Sequence, residues 1–258
     1  KQITDKHKRQ LEVLESEKEK EIYHAKIDFF TNIAHEIRTP LTLIKGPLEN
    51  ILKKEEINTH SLKVNLSIME RNTMRLLDLT NQLLDLRKTE AQGFQLNFMI
   101  CDISQLIKDT YIRFDPAAKQ NDLTFKIGLP EQNFNAAVDK EALTKILSNL
   151  FNNAVKYAKS YIHVSLHAPT DEQNDFFSIT VSNDGLPIPV EMKEKIFEPF
   201  FQIKNVSNGQ TKTGTGIGLP LARSLTELHR GKLYLKDSDD ICFCIELPIK
   251  QEKTILLQ

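Results

Sequence analysis

The sequence predicts a multidomain fold: an all-α helical hairpin that forms a dimeric four-helix bundle, followed by an α+β two-layer sandwich. Two observations lead to this prediction. Before Gly93, apolar residues recur with a helical period over two long stretches, whereas short runs of alternating apolar and polar residues follow it. A period near 3.6 residues is typical of an amphipathic helix, and a period of two is typical of a strand. The change of period places the domain boundary at about residues 91–94.

The composition indicates a folded chain without a basic surface for nucleic acid. The 258 residues carry 34 Lys and Arg against 35 Asp and Glu, so we expect no nucleic-acid binding by this fragment. The three cysteines lack the paired spacing of a zinc site or a disulfide framework, which favours buried thiols in a reducing compartment. No apolar run reaches the roughly 18 residues of a membrane span, so we expect no membrane contact by this fragment.

The first predicted helix, residues 5–54, carries the stretch HEIRTPLT from His35 to Thr42. At about 100° per residue, the apolar residues of this helix fall on one side and His35 falls on the opposite side. Thr39 follows one turn later, beside His35. An exposed imidazole with an adjacent carboxylate and a hydroxyl one turn away indicates a reactive site. Pro40 removes one helical N–H, so we expect a local bend there.

The second predicted helix, residues 61–90, follows a polar break. Its apolar positions alternate at four and three residues, which is the spacing of a heptad seam: Leu62, Leu66, Met69, Thr73, Leu76, Thr80 and Leu83. Two long helices with narrow apolar seams cannot bury themselves fully as a single hairpin. Because pairing of two hairpins into a four-helix bundle would bury both seams, we predict a homodimer.

The remainder of the chain shows the mixture of strands and helices that is typical of an α+β domain. The predicted strands are residues 94–100, 123–128, 161–168, 176–182, 232–236 and 241–248. The predicted helices are residues 103–114, 139–158 and 216–229. We expect a mixed sheet covered by helices on one face. The long connection at 185–213 is either a functional lid or a disordered segment.

One of these helices carries NLFNNAVKYA, in which Asn149 and Asn153 are four residues apart and Lys156 is three residues further. These spacings place two amides and a cation on one helix face. Amide oxygens are suitable ligands for a hydrated Mg²⁺, and an ammonium group suits phosphate. The same pattern is also typical of a solvated polar face, and the residues alone leave both interpretations open.

Two glycine-containing stretches follow along the chain. SNDGLPIP, from Ser182 to Pro189, comes directly after a predicted strand, where Asn-Asp-Gly is also ordinary turn chemistry. GTGIGL, from Gly214 to Leu219, opens a predicted helix, and its glycines allow backbone N–H groups to approach a phosphate. It matches neither the dinucleotide-binding glycine motif nor the P-loop, because Leu219 and Thr215 stand where those motifs need glycine and lysine. A flexible loop end is the alternative interpretation.

The order of these motifs resembles the sensor histidine kinases of two-component systems. HEIRTPLT corresponds to their H box, and the N box, first glycine box, phenylalanine box and second glycine box follow as NLFNNAVKYA, SNDGLPIP, FEPFF and GTGIGL. The resemblance covers essentially the whole chain and extends to the kinase cores of hybrid two-component sensors. It implies a signalling helix at 1–26, a dimerisation and phosphoacceptor domain at 27–92, a catalytic ATP-binding domain of the GHKL type at 93–250 and a tail at 251–258.

The resemblance implies an ATP-dependent protein histidine kinase. His35 would be the phosphoacceptor, Glu36 the general base, and Thr39 would place a water for dephosphorylation of the partner. The phosphoryl group would pass to an aspartate of a response-regulator receiver domain, in cis or in trans, and a phosphatase activity is also implied. The N-terminal helix, which opens without a start signal, implies a cytoplasmic fragment of an inner-membrane sensor protein.

The same resemblance implies a site for ATP and Mg²⁺. Asn153 would be the metal ligand, and Asn149 would lie beside the metal and the phosphates. Lys156 would contact phosphate, and Tyr157 would line the nucleoside side of the pocket. The other positions implied to contact the nucleotide are Asn183, Gly185, Gly214, Gly216, Gly218 and Leu219, while Phe197, Phe200 and Phe201 would pack the lid.

The chain departs from the family pattern at two positions. Relatives commonly have Asp-x-Gly-x-Gly in the first glycine box, and Gly185 fixes the register so that Asn183 takes the place of the adenine-reading aspartate. An amide oxygen still accepts from the adenine amino group, but without charge assistance. Asp184 would replace it if the turn shifted by one residue. Gln202 stands where relatives often place arginine, which weakens an expected contact to the γ-phosphate.

Two alternatives to the kinase belong to other functional classes. One is a GHKL-type ATPase that hydrolyses ATP to drive a conformational change, and the other is a nucleotide-binding signalling scaffold without phosphotransfer. The H box favours the kinase, because ATPases of the same fold have no phosphoacceptor helix. The intact second glycine box argues against a scaffold.

Overall fold

The structure is a computed structural model that describes residues 2–53, 58–90, 95–169, 175–203 and 215–251. Contacts between Cα atoms divide the chain into two compact units, Lys1–Asn81 and Gln82–Gln258. We refer to them as the hairpin unit and, after the domain that the resemblance implies, the catalytic unit.

The division falls within the second helix rather than at residues 91–94. The last turns of that helix contact the rest of the catalytic unit: Lys145 Nζ lies 2.6 Å from Asp85 Oδ2, and the Thr215 hydroxyl donates to Gln82 Oε1 at 3.0 Å. These contacts explain why the end of the helix groups with the residues that follow it.

The hairpin is formed by α1 (Gln2–Lys53) and α2 (Thr59–Glu90). The two predicted helices are present, with ends that differ by a few residues. Helix α1 is continuous through Pro40 and Pro47. Within the described part of the chain, none of the helices has the length and apolar character that crossing a bilayer requires.

Within one copy of the chain, the buried row of α2 lies beside the predicted heptad seam, and burial of that seam in a dimer stays a prediction. The buried positions are Asn72, Leu79 and Leu86, spaced seven residues apart, with exposed fractions of 8%, 1% and 2%. They lie about 100° round the helix from Thr73 and Thr80, and about 40–60° from the other predicted row, which is half-buried and consists of Met69, Leu76 and Leu83. Thr73 and Thr80, which we placed in the seam, are exposed and donate their hydroxyls to the helix backbone at 2.9 and 2.8 Å. Spacing alone could not distinguish two adjacent rows that have the same period.

The catalytic unit contains seven strands and three complete helices among its described residues, besides the end of α2. The strands are β1 (Met99–Asp102), β2 (Thr124–Gly128), β3 (Asn135–Val138), β4 (Tyr161–His167), β5 (Phe176–Asn183), β6 (Lys232–Lys236) and β7 (Ile241–Pro248). The helices are α3 (Ile103–Gln120), α4 (Lys140–Tyr157) and α5 (Gly218–Leu228), and two short 3₁₀ helices lie at Val190–Met192 and Lys195–Phe197.

The main sheet has five strands in the order β2-β4-β5-β7-β6. Strands β2 and β4 are parallel and the other neighbours are antiparallel, which confirms the predicted mixed sheet. Strands β1 and β3 form a separate antiparallel pair. The α+β architecture after a helical hairpin agrees with the predicted fold class.

Two strand predictions are corrected. Strand β3 was missed because its sequence, NAAV, is short and rich in alanine, which has a low strand propensity. The run at 94–100 was predicted as a strand, but β1 begins only at Met99. In the segment before it, the Asn97 N–H donates at 2.8 Å to the Asp139 carboxylate and not to a neighbouring strand.

Helix α4 shows how the core positions the polar residues of the catalytic unit. Asp139 caps its N-terminus by accepting from the Ala142 N–H at 2.9 Å. Its apolar face is fully buried, and the Phe151 ring packs edge-on against Phe114 and Phe125 at centroid distances of 5.9 and 5.4 Å. The buried residues of the helix are Ala142, Leu143, Ile146, Leu147, Leu150, Phe151 and Ala154. The two amides predicted as ligands, Asn149 and Asn153, lie at the edge of this apolar face and are half-buried.

Candidate functional site

In the hairpin unit, HEIRTPLT presents its histidine and its first threonine on the exposed side of α1. His35 and Thr39 are both exposed, and Pro40 on the other side is buried. The Thr39 hydroxyl donates to the His35 carbonyl at 3.3 Å, so it is directed back along the helix toward the histidine. The structure therefore brings the imidazole and the predicted hydroxyl together on one face.

Glu36 has a partner that the sequence interpretation missed. Its Oε2 lies 3.2 Å from Nη2 of Arg75 on α2, and the two side chains are 24% and 30% exposed. Arg75 lies four residues before the buried Leu79, so it belongs to the inner side of α2. The sequence did contain a signal for this pair. Arg75 is a cation beside the buried row of α2, and a cation in such a position usually has an acidic partner.

In the catalytic unit, α4 places Asn149 close to the start of α5. A β-carbon added to Gly218 would lie 3.0 Å from Asn149 Oδ1. Gly218 is the first residue of α5, so its missing side chain leaves room for the amide beside the helix N-terminus. Asn153, one turn further along α4, is half-buried like Asn149.

The start of α5 offers backbone donors for an anion. Within the described residues, no side chain makes a capping hydrogen bond to this helix end. Pro220 has no N–H, so the first donors are those of Gly218 and Leu219. Uncapped N–H groups and the helix dipole favour negative charge at such a terminus. Helix α5 begins two residues later than predicted.

Gly216 requires the conformational freedom of glycine. Its φ is +67°, and a β-carbon would lie 2.6 Å from Phe200 Cα. The Phe200 N–H donates to the Gly216 carbonyl at 2.8 Å, and Phe200 itself has a φ of +65°. The backbone at Phe200 and the backbone at Gly216 are thus in close contact. Gly214, the first glycine of the motif, lies outside the described residues.

The phenylalanine box packs into the catalytic unit. Phe197 and Phe200 are buried, and the Phe197 ring lies 4.7 Å from the Arg223 guanidinium and 6.2 Å from the Phe243 ring. Arg223 also binds Glu194 at 2.9 Å. Phe201 is half-buried and Gln202 is exposed. Arg223 is a further residue that periodicity did not indicate.

Two predicted nucleotide contacts lie at the end of α4. The Lys156 ammonium group lies 4.6 Å from the centroid of the Tyr157 ring, a distance at which cation–π attraction operates. The Tyr157 side chain is 43% exposed, so its ring offers an accessible flat surface.

Asn183 ends β5 in a buried turn. It is 2% exposed, and its Oδ1 accepts from the Gly185 N–H at 3.0 Å. A β-carbon on Gly185 would lie 2.7 Å from that oxygen and 2.8 Å from the Tyr157 carbonyl. Glycine is therefore required at this position, and it brings the end of β5 against the end of α4.

Asp184 is directed away from this turn. Its carboxylate accepts from the N–H groups of Lys159, Ser160 and Tyr161 at 2.9, 3.0 and 3.2 Å, and from the Ser160 hydroxyl at 2.5 Å. Partial burial opposes ionisation, but these hydrogen bonds outweigh it and hold the pKa of Asp184 well below its usual range. Because Asp184 binds the 159–161 backbone, Asn183 is the candidate for contact with a base.

Family models match both units. A model of histidine kinase-, DNA gyrase B- and HSP90-like ATPases (HATPase_c) matches residues 138–251, and a model of the His Kinase A phosphoacceptor domain (HisKA) matches residues 25–92. The fold is also similar to that of histidine kinase ThkA, solved in complex with response regulator protein TrrA. The TM-score is 0.65 at 24% identity, over 86% of this chain and 61% of that chain.

Curated relatives match nearly the whole chain. Histidine kinase P4 of Formosa agariphila is 35% identical over 248 residues, which are 95% of this chain and 18% of that protein. Sensor histidine kinase TmoS of Ectopseudomonas mendocina is 36% identical over 239 residues, or 90% of this chain and 24% of that protein. The chain thus spans less than a quarter of these relatives. Together, the two domain models and the relatives show that the chain belongs to the sensor histidine kinases, and that it carries their phosphoacceptor and ATPase domains.

Proposed function

We propose that this chain is an ATP-dependent protein histidine kinase that phosphorylates its own His35 and passes the phosphoryl group to an aspartate of a response-regulator receiver domain. One observation carries the proposal. An exposed His35, with Glu36 and Thr39 beside it, stands on a helix of a chain that also carries a matched ATPase domain. An ATPase of the same fold without phosphotransfer has no use for such a helix.

The ATP site is proposed to lie between the ends of α4, β5 and α5. The base would lie near Asn183 and Tyr157, which the close approach at Gly185 brings together. The phosphates would lie at the uncapped N-terminus of α5, at the N–H groups of Gly218 and Leu219. Gly214, Gly216 and Lys156 complete the proposed set of phosphate contacts.

A Mg²⁺ ion fits the polar face of α4. Among the described residues, no group of three His, Cys, Asp or Glu side chains could hold a metal, so a ligand set of amide and phosphate oxygens is proposed. Asn153 would hold the ion, and Asn149 would lie beside it, in the space left by Gly218. When bound, Mg²⁺ would neutralise charge on the phosphate oxygens.

The chemistry at His35 needs a neutral imidazole. One ring nitrogen would attack the γ-phosphorus of ATP, and Glu36 would accept the proton of the other ring nitrogen. Thr39 would place a water for the reverse function, dephosphorylation of the receiver domain. The solved complex of ThkA with TrrA supports a receiver domain as the partner, in cis or in trans.

A homodimer through the hairpin is proposed from its exposed apolar side chains. Leu41 and Leu48 of α1 are 55% and 41% exposed, and Leu66 and Leu77 of α2 are 49% and 51% exposed. Apolar stripes of this kind on a helical hairpin fit a four-helix bundle made from two copies. The proposed parent is an inner-membrane sensor, with this chain as its cytoplasmic part and with domains at 1–26, 27–92, 93–250 and 251–258.

The decisive experiment is incubation of the chain with γ-labelled ATP and Mg²⁺. We expect acid-labile, alkali-stable label on the wild type and none on His35→Gln. His60→Gln is the matched control, because His60 is also an exposed histidine of the hairpin and should leave labelling intact. Asn153→Ala should remove the label although His35 is present.

Two outcomes would contradict the proposal. Label that persists on His35→Gln would refute His35 as the acceptor. Release of inorganic phosphate without any labelled protein would instead establish the GHKL-type ATPase. Transfer of label from the phosphorylated chain to a receiver domain, added in trans, tests the second step.

A further inference from the structure

We propose that Arg75 is a positioning residue for the phosphorylation of His35, acting by holding the Glu36 carboxylate. The inference rests on the proposed function, in which Glu36 takes a proton from His35. It assigns a role to a residue of α2 that lies outside the H box.

Helix geometry explains why Glu36 needs a partner. Side chains at adjacent helix positions diverge by about 100° and do not face each other. His35 is exposed, whereas Glu36 is only 24% exposed and lies on the side of α1 that meets α2. For proton transfer, the Glu36 side chain would have to be held in a conformation that reaches the imidazole. The backbone by itself does not select that conformation.

Arg75 supplies the missing constraint. Its Nη2 lies 3.2 Å from Glu36 Oε2, and its own side chain is 30% exposed. A guanidinium is a rigid planar fork, so it fixes the direction of a carboxylate more strictly than a point charge does. The contact engages one carboxylate oxygen and leaves Oε1 to receive a proton. Partial burial also reduces the screening that weakens ion pairs at the surface.

The proton balance of the transfer removes and then restores the ion pair of Arg75 with Glu36. The lone pair of one imidazole nitrogen forms the N–P bond while the bond from the γ-phosphorus to the bridging oxygen breaks, and ADP leaves. The proton of the other imidazole nitrogen moves to Glu36, which becomes a neutral acid. Arg75 then faces a group without charge. Release of that proton to solvent restores the ion pair, and Arg75 again fixes the direction of the carboxylate.

The test compares Arg75→Gln, Arg75→Lys and Arg71→Gln in the full chain, with label on His35 as the readout. Arg71 is an exposed cation one turn earlier on α2, so Arg71→Gln makes the same change of charge without touching Glu36. We expect Arg75→Gln to lower kcat about 10-fold, less than the roughly 100-fold cost of a badly misplaced catalytic group. The KM for ATP should stay within about twofold, since ATP binds the catalytic unit. Arg75→Lys should be intermediate and Arg71→Gln unchanged.

A double-mutant cycle separates positioning from general damage. If Arg75 acts through Glu36, adding Arg75→Gln to Glu36→Gln should lower the residual rate by less than about twofold. The proposal would be overturned if Arg75→Gln lowered the labelling rate by the same factor in the wild type and in Glu36→Gln. It would also be overturned if Arg75→Gln and Arg71→Gln had the same rate. If Arg75→Gln unfolds the hairpin, the same double-mutant cycle is measured with Arg75→Lys, and the same criteria apply to its result. Absence of label on the wild type would contradict the proposed function itself and is distinguishable from all of these results.

Discussion

The hairpin unit and the catalytic unit differ in how far each buries its own apolar surface. In the catalytic unit, Phe151 on α4 and Ile179 and Val181 on β5 have an exposed fraction of 0%. In the hairpin, Leu41 and Leu66 remain about half exposed, at 55% and 49%. The catalytic unit therefore closes its own core, whereas the hairpin has the surface of an incomplete bundle. Its stability should depend on a second copy, and that of the catalytic unit should not.

The same contrast applies to the functional residues. Those of the catalytic unit are fixed by close backbone approaches, such as Gly218 against Asn149 and Gly185 against Asn183. His35 has no such enclosure and is exposed on α1. This exposure suits the proposed role of His35, which would meet two different partners in turn, an ATP site and a receiver domain. An enclosed site suits a nucleotide that is bound in one geometry.

The largest expected effect tests whether the hairpin needs a second copy. Leu66→Glu with Leu77→Glu places two carboxylates on the exposed apolar side of α2. We expect the dimer to weaken at least about 100-fold, because burying unpaired charges costs several kcal/mol. Sedimentation should show a monomer. In thermal unfolding, the transition of the hairpin should shift to lower temperature while that of the catalytic unit stays unchanged.

Val64→Glu is the matched control for this pair. Val64 is 46% exposed, but it lies two residues from Leu66 and thus about 200° round α2, on another side. It should leave the dimer intact. In the wild type, the hairpin transition should also rise with protein concentration, as mass action requires for a dimer. A wild-type transition that is independent of concentration would contradict the comparison.

An intermediate effect tests the internal closure of the catalytic unit. Asp184→Ala removes the acceptor of three backbone N–H groups at 159–161. We expect a loss of about 2 kcal/mol in the free energy of unfolding of this unit at pH 7. Because folding lowers the pKa of Asp184, its contribution is fully present above the unfolded pKa of about 3.9 and is lost as pH falls toward the folded value.

Denaturant unfolding at several pH values checks this prediction. The difference between wild type and Asp184→Ala should be constant from about pH 7 to pH 5 and should shrink below about pH 4. Asp237→Ala is the control, since the Asp237 side chain is 95% exposed and pairs only with Lys193 among the described residues. It should leave the stability unchanged within experimental error, because an exposed ion pair contributes little. A loss at Asp184→Ala that remained unchanged at low pH would exclude the carboxylate as its source.

The sequence predicted the elements whose residues repeat with a period, and it failed where contacts depend on how elements are rotated or joined. The alternation in β5 and the helical spacing in α4 were sufficient to locate both. For α2, spacing did not show which row packs within the hairpin, because Thr73 and Thr80 have the same period as the buried row. β3 has only four residues and pairs with a distant strand, so it left no periodic signal.

The candidate site shows the same limit. The H box and the N box are local in sequence, so their residues could be proposed from the chain alone. The Arg75–Glu36 pair joins residues 39 positions apart, and it depends on the relative rotation of α1 and α2. Likewise, the sequence left open whether Asn183 or Asp184 takes the aspartate position of the family. The direction of the turn favours Asn183, because the Asp184 oxygens bind the 159–161 backbone.

The smallest expected effect concerns that position. Asn183→Asp should keep the hydrogen bond from the Gly185 N–H and present a charged oxygen to the amino group of adenine. Charge-assisted hydrogen bonds are roughly twice as strong as neutral ones. The residue is only 2% exposed, so desolvation of the new carboxylate offsets part of the gain. We expect the KM for ATP to fall about fivefold, or about 1 kcal/mol, with little change in kcat.

Purine riboside triphosphate, which lacks the amino group, isolates the cause of this change. If the new carboxylate reads the amino group, the substitution should improve binding of ATP and leave that of the analogue unchanged or weaker. Isothermal titration of both nucleotides with Mg²⁺ measures the difference directly. Equal improvement for the two nucleotides would place the effect in the stability of the turn at Gly185. No improvement for either would mean that the buried amide is already as good a partner for adenine as the aspartate of the relatives.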